Sequence, residues 1–221
     1  MRSEELLAEL YDKTLTGNGP AVLDLTRQGL DQGIGPETLL YDALIPSLEE
    51  VGARFERGDF FVPEMLIAGK AMAGALDVLR PLLAETGAAT IGTIVMGTVK
   101  GDVHDIGKNL VNIMFEGAGF QVIDLGVQVS PEKFIDAIKT HKPDIVGFSA
   151  FLTTTMPMFK ANINALAKSG LRDRVIVMVG GAPVTQEYAD AVGADGYAAD
   201  ASAAVARARE LLNQRKAMAS A

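Results

Sequence analysis

Between Ser3 and about Leu83, apolar residues recur three and four positions apart, the spacing that lines one face of an α-helix. Leu6, Leu7, Leu10 and Leu15 mark a first helix, which Gly17-Asn18-Gly19-Pro20 interrupts. Pro20 suits the first turn of a second helix, carrying Val22, Leu23, Leu25, Leu30 and Ile34 and closing near Gly33 and Gly35. A third follows Pro36 through Leu39, Leu40, Leu44, Leu48 and Val51, with Pro46 placed to kink or divide it. The fourth follows Pro63 through Met65, Leu66, Ala68, Met72, Leu76, Leu79 and Leu82. Helices with such stripes bury them against one another in a small bundle.

After Thr90 the period changes. Thr93–Gly97, Gln121–Leu125, Asp144–Ser149 and Val175–Val179 are short runs rich in Val and Ile, and Gly196–Ala198 forms a short fifth. Helical stretches fall between them, at Gly107–Gly117, Pro131 to about His141, and Met156–Lys168, and a last one runs from Ser202 to Leu212. Strand, loop and helix in repetition predict a parallel sheet covered by helices. The expected architecture is a helical domain over residues 1–86, a linker at Glu85–Ala89, and a Rossmann-like, flavodoxin-like α/β domain over 90–215. In that strand order the first and third strands flank the reversal of winding, where ligands enter. The loops after Gly97 and Ser149 then face one crevice.

Composition narrows the chemistry. The chain is 48% hydrophobic and 22% charged, ordinary for a folded globular protein. Its 20 Lys and Arg against 28 Asp and Glu include no basic run, which speaks against nucleic-acid binding. Met1-Arg2-Ser3-Glu4-Glu5 lacks an apolar signal and no segment is long enough to span a bilayer, so a cytoplasmic protein without membrane association is expected. Zero Cys removes thiol catalysis, thiolate zinc and cysteine-held clusters. With only two His, a metal here needs most of its ligands from elsewhere.

Gly101-Asp102-Val103-His104-Asp105-Ile106-Gly107 lies between the first strand and its helix. Neutral imidazole is a good ligand for a borderline metal, and its second nitrogen can donate to a carboxylate such as Asp102. The bland alternative is a polar surface pair. Asp105 either contributes to the site or caps the helix. Gly107 permits close backbone approach or simply opens the helix. After strand three, the hydroxyls of Ser149, Thr153, Thr154 and Thr155 either serve the crevice, with Thr155 bonding Asp102, or cap the next helix. Gly180-Gly181 after strand four admits a bulky group, Gly126–Val129 is a further strand-end segment, and Gly193–Tyr197 offers a far wall.

Asp102-x-His104-x-x-Gly107, Ser149 to Thr155 and Gly180-Gly181 together resemble the signature of B12-binding domains that displace the cofactor's own lower nucleotide base. The resemblance implies a cobalamin or related corrinoid bound base-off and His-on, with His104 as metal ligand to cobalt, Asp102 bonded to His104 and Thr155 to Asp102. It places Ser149, Thr153, Gly180 and Gly181 at the nucleotide tail, and Val103, Asp105, Ile106, Gly107, Leu152 and Tyr197 among the cofactor contacts. The relay hydroxyl is often Ser in relatives; Thr155 keeps the donor and adds a methyl. The first part of the chain resembles the helical cap of methionine synthase and of corrinoid proteins from methylamine, methanol, betaine and aryl-ether methyltransferase systems. Phe55 to Leu66 carries that likeness, which implies that Phe60, Phe61, Met65 and Leu66 shield the upper corrin face; ordinary bundle core is the competing role.

The resemblance further implies a shuttle between Co(I) and methyl-Co(III), the cofactor being methylated during turnover. Its implied partners are a substrate-specific corrinoid methyltransferase, an acceptor methyltransferase using a pterin, folate or thiol, and a reductive activation protein. The chain itself is then a component of a methyltransferase system that does not activate the donor alone. Two other functions use related modules: a B12-dependent sensor, and the small B12-binding subunit of a mutase. Against the first, the chain has no basic recognition helix and no Trp to cover an adenosyl group; the second requires a separate substrate barrel.

Overall fold

The computed structural model describes residues 2–86 and 90–219; within the expected linker, residues 87–89 lie outside the described residues. The chain forms two compact units, Met1–Thr90 with Ile113–Gly119, and Ile91–Asn112 with Phe120–Ala221.

The first unit holds α1 (Ser3–Leu15), α2 (Gly19–Asp31), α3 (Pro36–Leu39), a π turn (Leu40–Leu44), α4 (Ile45–Glu56) and α5 (Val62–Thr86). The Asn18 side chain accepts from Ala21 N at 3.3 Å and starts α2, as an N-cap should. Pro46 divides the third predicted helix. It lies in the first turn of α4, just after the π turn, because proline cannot donate into a continuous helical ladder and a wider turn accommodates the missing bond. Phe61 N donates to Glu64 Oε2 at 2.9 Å, so α5 begins at Val62, slightly ahead of its predicted start. Leu6, Leu10, Val22, Leu39, Leu44, Leu48, Val51, Met65, Met72 and Leu79 are fully buried. At about 1.5–3 kcal/mol for each large side chain, their burial outweighs helix propensity as the source of order.

The second unit contains β1 (Thr93–Thr98), α6 (Ile106–Gly117, of which Ile106–Asn112 belong here), β2 (Gln121–Asp124), α7 (Pro131–His141), β3 (Ile145–Ser149), α8 (Pro157–Lys168), β4 (Ile176–Gly180), α9 (Gln186–Val192), β5 (Gly196–Tyr197) and α10 (Ala201–Ala219). All strand pairs are parallel, in the order β2-β1-β3-β4-β5. Winding reverses between β1 and β3, as expected. Val95, Val146 and Val177 from the three central strands pack in one cluster with Phe134 and Phe159. Thr98 is in register with Ser149, and Ser149 with Gly180, so these three residues line the carboxyl edge of the sheet. Seven-residue α9 was not anticipated; it is too short for a helical period. The Thr185 hydroxyl accepts from Tyr188 N at 3.2 Å, and Gly193 closes the helix at φ 83°. The last helix continues beyond Leu212 to Ala219. Among the described residues, no helix is long and apolar enough to cross a membrane.

Candidate functional site

The loop after β1 is tied down on both sides. Thr98 N donates to Gly126 O at 3.0 Å and Gln128 N to Asp102 O at 3.1 Å. Thr98 Oγ1 donates to His104 O at 3.1 Å. Backbone groups that would otherwise be unpaired at a strand end are thereby satisfied, and residues 102–104 are held over the crevice between β1 and β3.

Asp102 is fully buried. Its Oδ1 accepts from His104 N at 3.0 Å and from the His104 ring at Nδ1 at 2.8 Å. Its Oδ2 accepts from Phe151 N at 2.8 Å, Leu152 N at 3.2 Å and Thr155 Oγ1 at 2.7 Å. Burial pushes its carboxyl pKa up, but the bonds from Thr155, from the backbone and ring of His104 and from Phe151 N outweigh it, holding the carboxyl well below the usual carboxylate range. An ionised carboxylate only accepts, so the proton in this bond lies on Nδ1, which leaves Nε2 as the ring nitrogen able to meet a metal. Nε2 makes no hydrogen bond among the described residues, and 45% of the side chain is exposed.

The sequence left open whether the strand-three hydroxyls serve the crevice or cap α8. Thr155 serves the crevice, and no side chain caps α8. The Thr155 hydroxyl also lies 2.9 Å from Leu152 O; with one proton and two acceptors, the nearer, ionised carboxylate is the stronger partner. Ser149 is half-buried, whereas Thr153 and Thr154 are exposed. Asp105 contributes its carbonyl, which accepts from Asn109 N at 2.8 Å as α6 begins.

Exposed apolar residues flank His104 in sequence and stand on the loop after β3. Val103, Ile106, Phe151 and Leu152 are exposed, Ile106 to 72% and Phe151 to 52%. The Phe151 ring stacks on His104, with centroids 4.5 Å apart and planes at 29°. Gly107 and Gly180 adjoin open space where a Cβ would lie. Gly181 differs from its neighbour: at φ 135° an added Cβ would meet Ala150 O at 1.8 Å, so its own loop requires glycine. Tyr197 lies on edge strand β5 and packs against the core of the unit.

Among the described residues, no group of three or more His and acidic residues could hold a metal ion. The donor set instead fits a metal arriving inside a large apolar cofactor: one oriented imidazole nitrogen, an apolar rim, and glycine edges with room beside them.

The remaining predicted contacts lie in the helical unit. Phe61 is 65% exposed, Met65 is 1% exposed within the bundle, and Phe60 and Leu66 are half-buried. The Arg54 guanidinium stands 5.2 Å over the Phe60 ring.

Several contributors escaped the sequence reading. Thr98, Gln128 and the Phe151 and Leu152 amides bond the loop or its carboxylate. Lys108, with its side chain 1% exposed, forms an ion pair with the part-exposed Asp124 and donates to Asn109 Oδ1 at 2.9 Å. A lysine directly after the Gly107 signature position was the available signal for this clamp.

The family described as the B12 binding domain matches residues 92–206, and a second family with the same description matches residues 6–80. Dimethylamine corrinoid protein 1 of Methanosarcina acetivorans is 43% identical over 96% of this chain and 100% of its own length. A cobalamin-binding protein from Desulfitobacterium hafniense superposes with a TM-score of 0.75 and 30% identity, over 92% of this chain and 97% of that one. A chain of the methanol:cobalamin methyltransferase complex from Methanosarcina barkeri gives a TM-score of 0.83 and 28% identity, over 95% and 80%. With the imidazole, its buried carboxylate and the strand-end glycines set on this sheet, the chain belongs to the B12-binding family, related to the corrinoid proteins of methylamine and methanol methyltransferase systems.

Proposed function

We propose that the chain is a corrinoid methyl carrier in which His104 Nε2 is the lower axial ligand of cobalt, taking the place of the cofactor's own base. The observation that carries this reading is the hydrogen-bonded line from Thr155 Oγ1 through the buried Asp102 carboxylate to His104 Nδ1, which leaves Nε2 as the free donor. A corrinoid bound base-off and His-on, and methylated during turnover, would supply the cobalt chemistry of methyl transfer between two enzymes. The chain's residues orient and tune it. Asp102, kept ionised by its donors, makes the imidazole a better donor while Nε2 is engaged.

In this reading residues 90–215 hold the cofactor and residues 1–86 serve as its cap. Ser149, Thr153, Gly180 and Gly181 flank the nucleotide tail, with Val103, Asp105, Ile106, Gly107, Leu152 and Tyr197 as further contacts. Phe60, Phe61, Met65 and Leu66 are the cap's apolar candidates toward the cofactor; Phe61 is the most exposed of them and Met65 is buried in the bundle. The likeness to dimethylamine corrinoid proteins, 41–44% identical over 95–96% of the chain for several of them, supports a dimethylamine-specific methyltransferase as the donor-side partner. An acceptor methyltransferase using a pterin, folate or thiol and a reductive activation protein complete the proposed set of partners, and the system works in the cytoplasm.

Electron paramagnetic resonance of the cob(II)alamin-loaded protein tests the ligand. Nitrogen superhyperfine coupling from the protein is expected in wild type and absent from His104→Ala; retention in the variant overturns the assignment. Transfer of labelled methyl from dimethylamine onto the bound corrinoid, with the donor-side enzyme present, tests the carrier role.

A further inference from the structure

The His104 main chain is held by the bonds from its N–H to Asp102 Oδ1 at 3.0 Å and from Thr98 Oγ1 to its carbonyl at 3.1 Å, so the ring's remaining local freedom is rotation about Cβ–Cγ. One polar contact of the ring resists that rotation, the bond from Nδ1 to Asp102 Oδ1 at 2.8 Å, and Nε2 moves whenever the ring turns. Phe151 opposes this motion. Its ring faces the imidazole at 4.5 Å and 29°, and its own N–H donates at 2.8 Å to Oδ2 of the same Asp102 carboxylate. One buried group thus anchors both partners of the stack, and only the Phe151 side-chain torsions remain free. A phenylalanine 52% exposed is not held there by core packing.

We propose that Phe151 is a positioning residue for His104: the stack fixes the plane of the imidazole and so pre-orients Nε2 before the cofactor arrives. The inference rests on reading His104 as the axial ligand. Its energetic basis is the gain of an aromatic pair together with ring freedom removed in advance of binding.

The competing role is plain apolar contact between Phe151 and the corrinoid, and a double-mutant cycle separates the two. Cobalamin affinity is measured by absorbance titration of the full chain for wild type, Phe151→Ala, His104→Ala and the double variant. Pre-orientation predicts that Phe151→Ala weakens binding roughly two- to tenfold when His104 is present and leaves it unchanged in His104→Ala. Equal loss in both backgrounds, or loss in neither, overturns the proposal. Proton–carbon NMR of the cofactor-free protein gives a readout independent of binding. Removing the Phe151 ring current should shift the His104 ring resonances downfield and narrow them; unchanged shifts and widths also overturn it. Phe151→Leu keeps apolar bulk without a flat face and serves if the alanine variant fails to fold, with the same NMR change expected. Retained nitrogen coupling in His104→Ala overturns the ligand reading and this proposal together. Lost coupling in His104→Ala, with full affinity in Phe151→Ala, overturns the positioning role alone.

Discussion

Asp102 in the second unit and Glu50 in the first each gather more than one donor, and the contrast between them is instructive. Asp102 is fully buried and accepts from three backbone amides, one hydroxyl and one imidazole. Glu50 is part-exposed and accepts from Arg54 Nε at 2.8 Å and Arg57 Nη2 at 3.4 Å, while Arg57 Nε reaches Asp59 at 3.1 Å. A donor to each meets a phenylalanine ring, His104 that of Phe151 and Arg54 that of Phe60. At Asp102 the donors are short and mostly main-chain, with little freedom to lose, and water is excluded. At Glu50 the donors are long arginines in contact with solvent, where attraction is weak and screened. The buried network can therefore hold one ring in one place; the exposed one outlines a turn.

The largest expected effect comes from breaking the buried network. Asp102→Ala leaves its donors without an acceptor and should lower stability by about 3–5 kcal/mol in urea unfolding of the cofactor-free protein. Asp102→Asn retains one acceptor oxygen and should lose less. The pH dependence has a definite sign. Because the folded carboxyl titrates below its ordinary value, its stabilisation is complete above the unfolded pKa of about 4 and drains away as pH falls toward the folded value. The gap between wild type and Asp102→Asn should thus be constant from neutrality to mild acid and shrink only below that point. A gap that closes between pH 6 and 7 would contradict it.

The clamp between Lys108 and Asp124 is intermediate, with one partner buried and the other part-exposed. Asp124→Asn removes the counter-charge of a buried ammonium and should cost about 2 kcal/mol, allowing for the solvent exposure of Asp124 and the remaining bond to Asn109. Lys108→Met removes the buried charge and leaves a carboxylate able to reach water, so it should cost less. Equal losses in thermal melts would show that burial does not set the difference. At the exposed extreme, Glu50→Gln should leave the melting temperature within measurement error. Raising salt should not alter that result, because little attraction is present to be screened.

The helical stripes and Val-rich strands were legible because burial acts on local periodicity: Leu6 and Leu10 are both fully buried, and β1, β3 and β4 fall within a residue or two of their expected spans. Pro46 announced an interruption but not its form, since kink and π turn satisfy the same missing N–H. The Asp102-His104 pair was readable at two-residue spacing. Phe151 was not, because its stack depends on how the loop after β3 returns to a carboxylate 49 residues earlier in the chain.

By itself, the sequence determined the type and order of the elements, the crevice between the loops after β1 and β3, and the single imidazole with an acid beside it; these follow from local period and connectivity. Only the tertiary structure decided that Thr155, among four hydroxyl residues, meets Asp102 across 53 positions. It alone separated Gly181, packed against Ala150, from Gly180, open to space, and turned the face of Phe151 onto His104. Strand register and loop path govern those contacts, and both arise from the packing of the whole sheet.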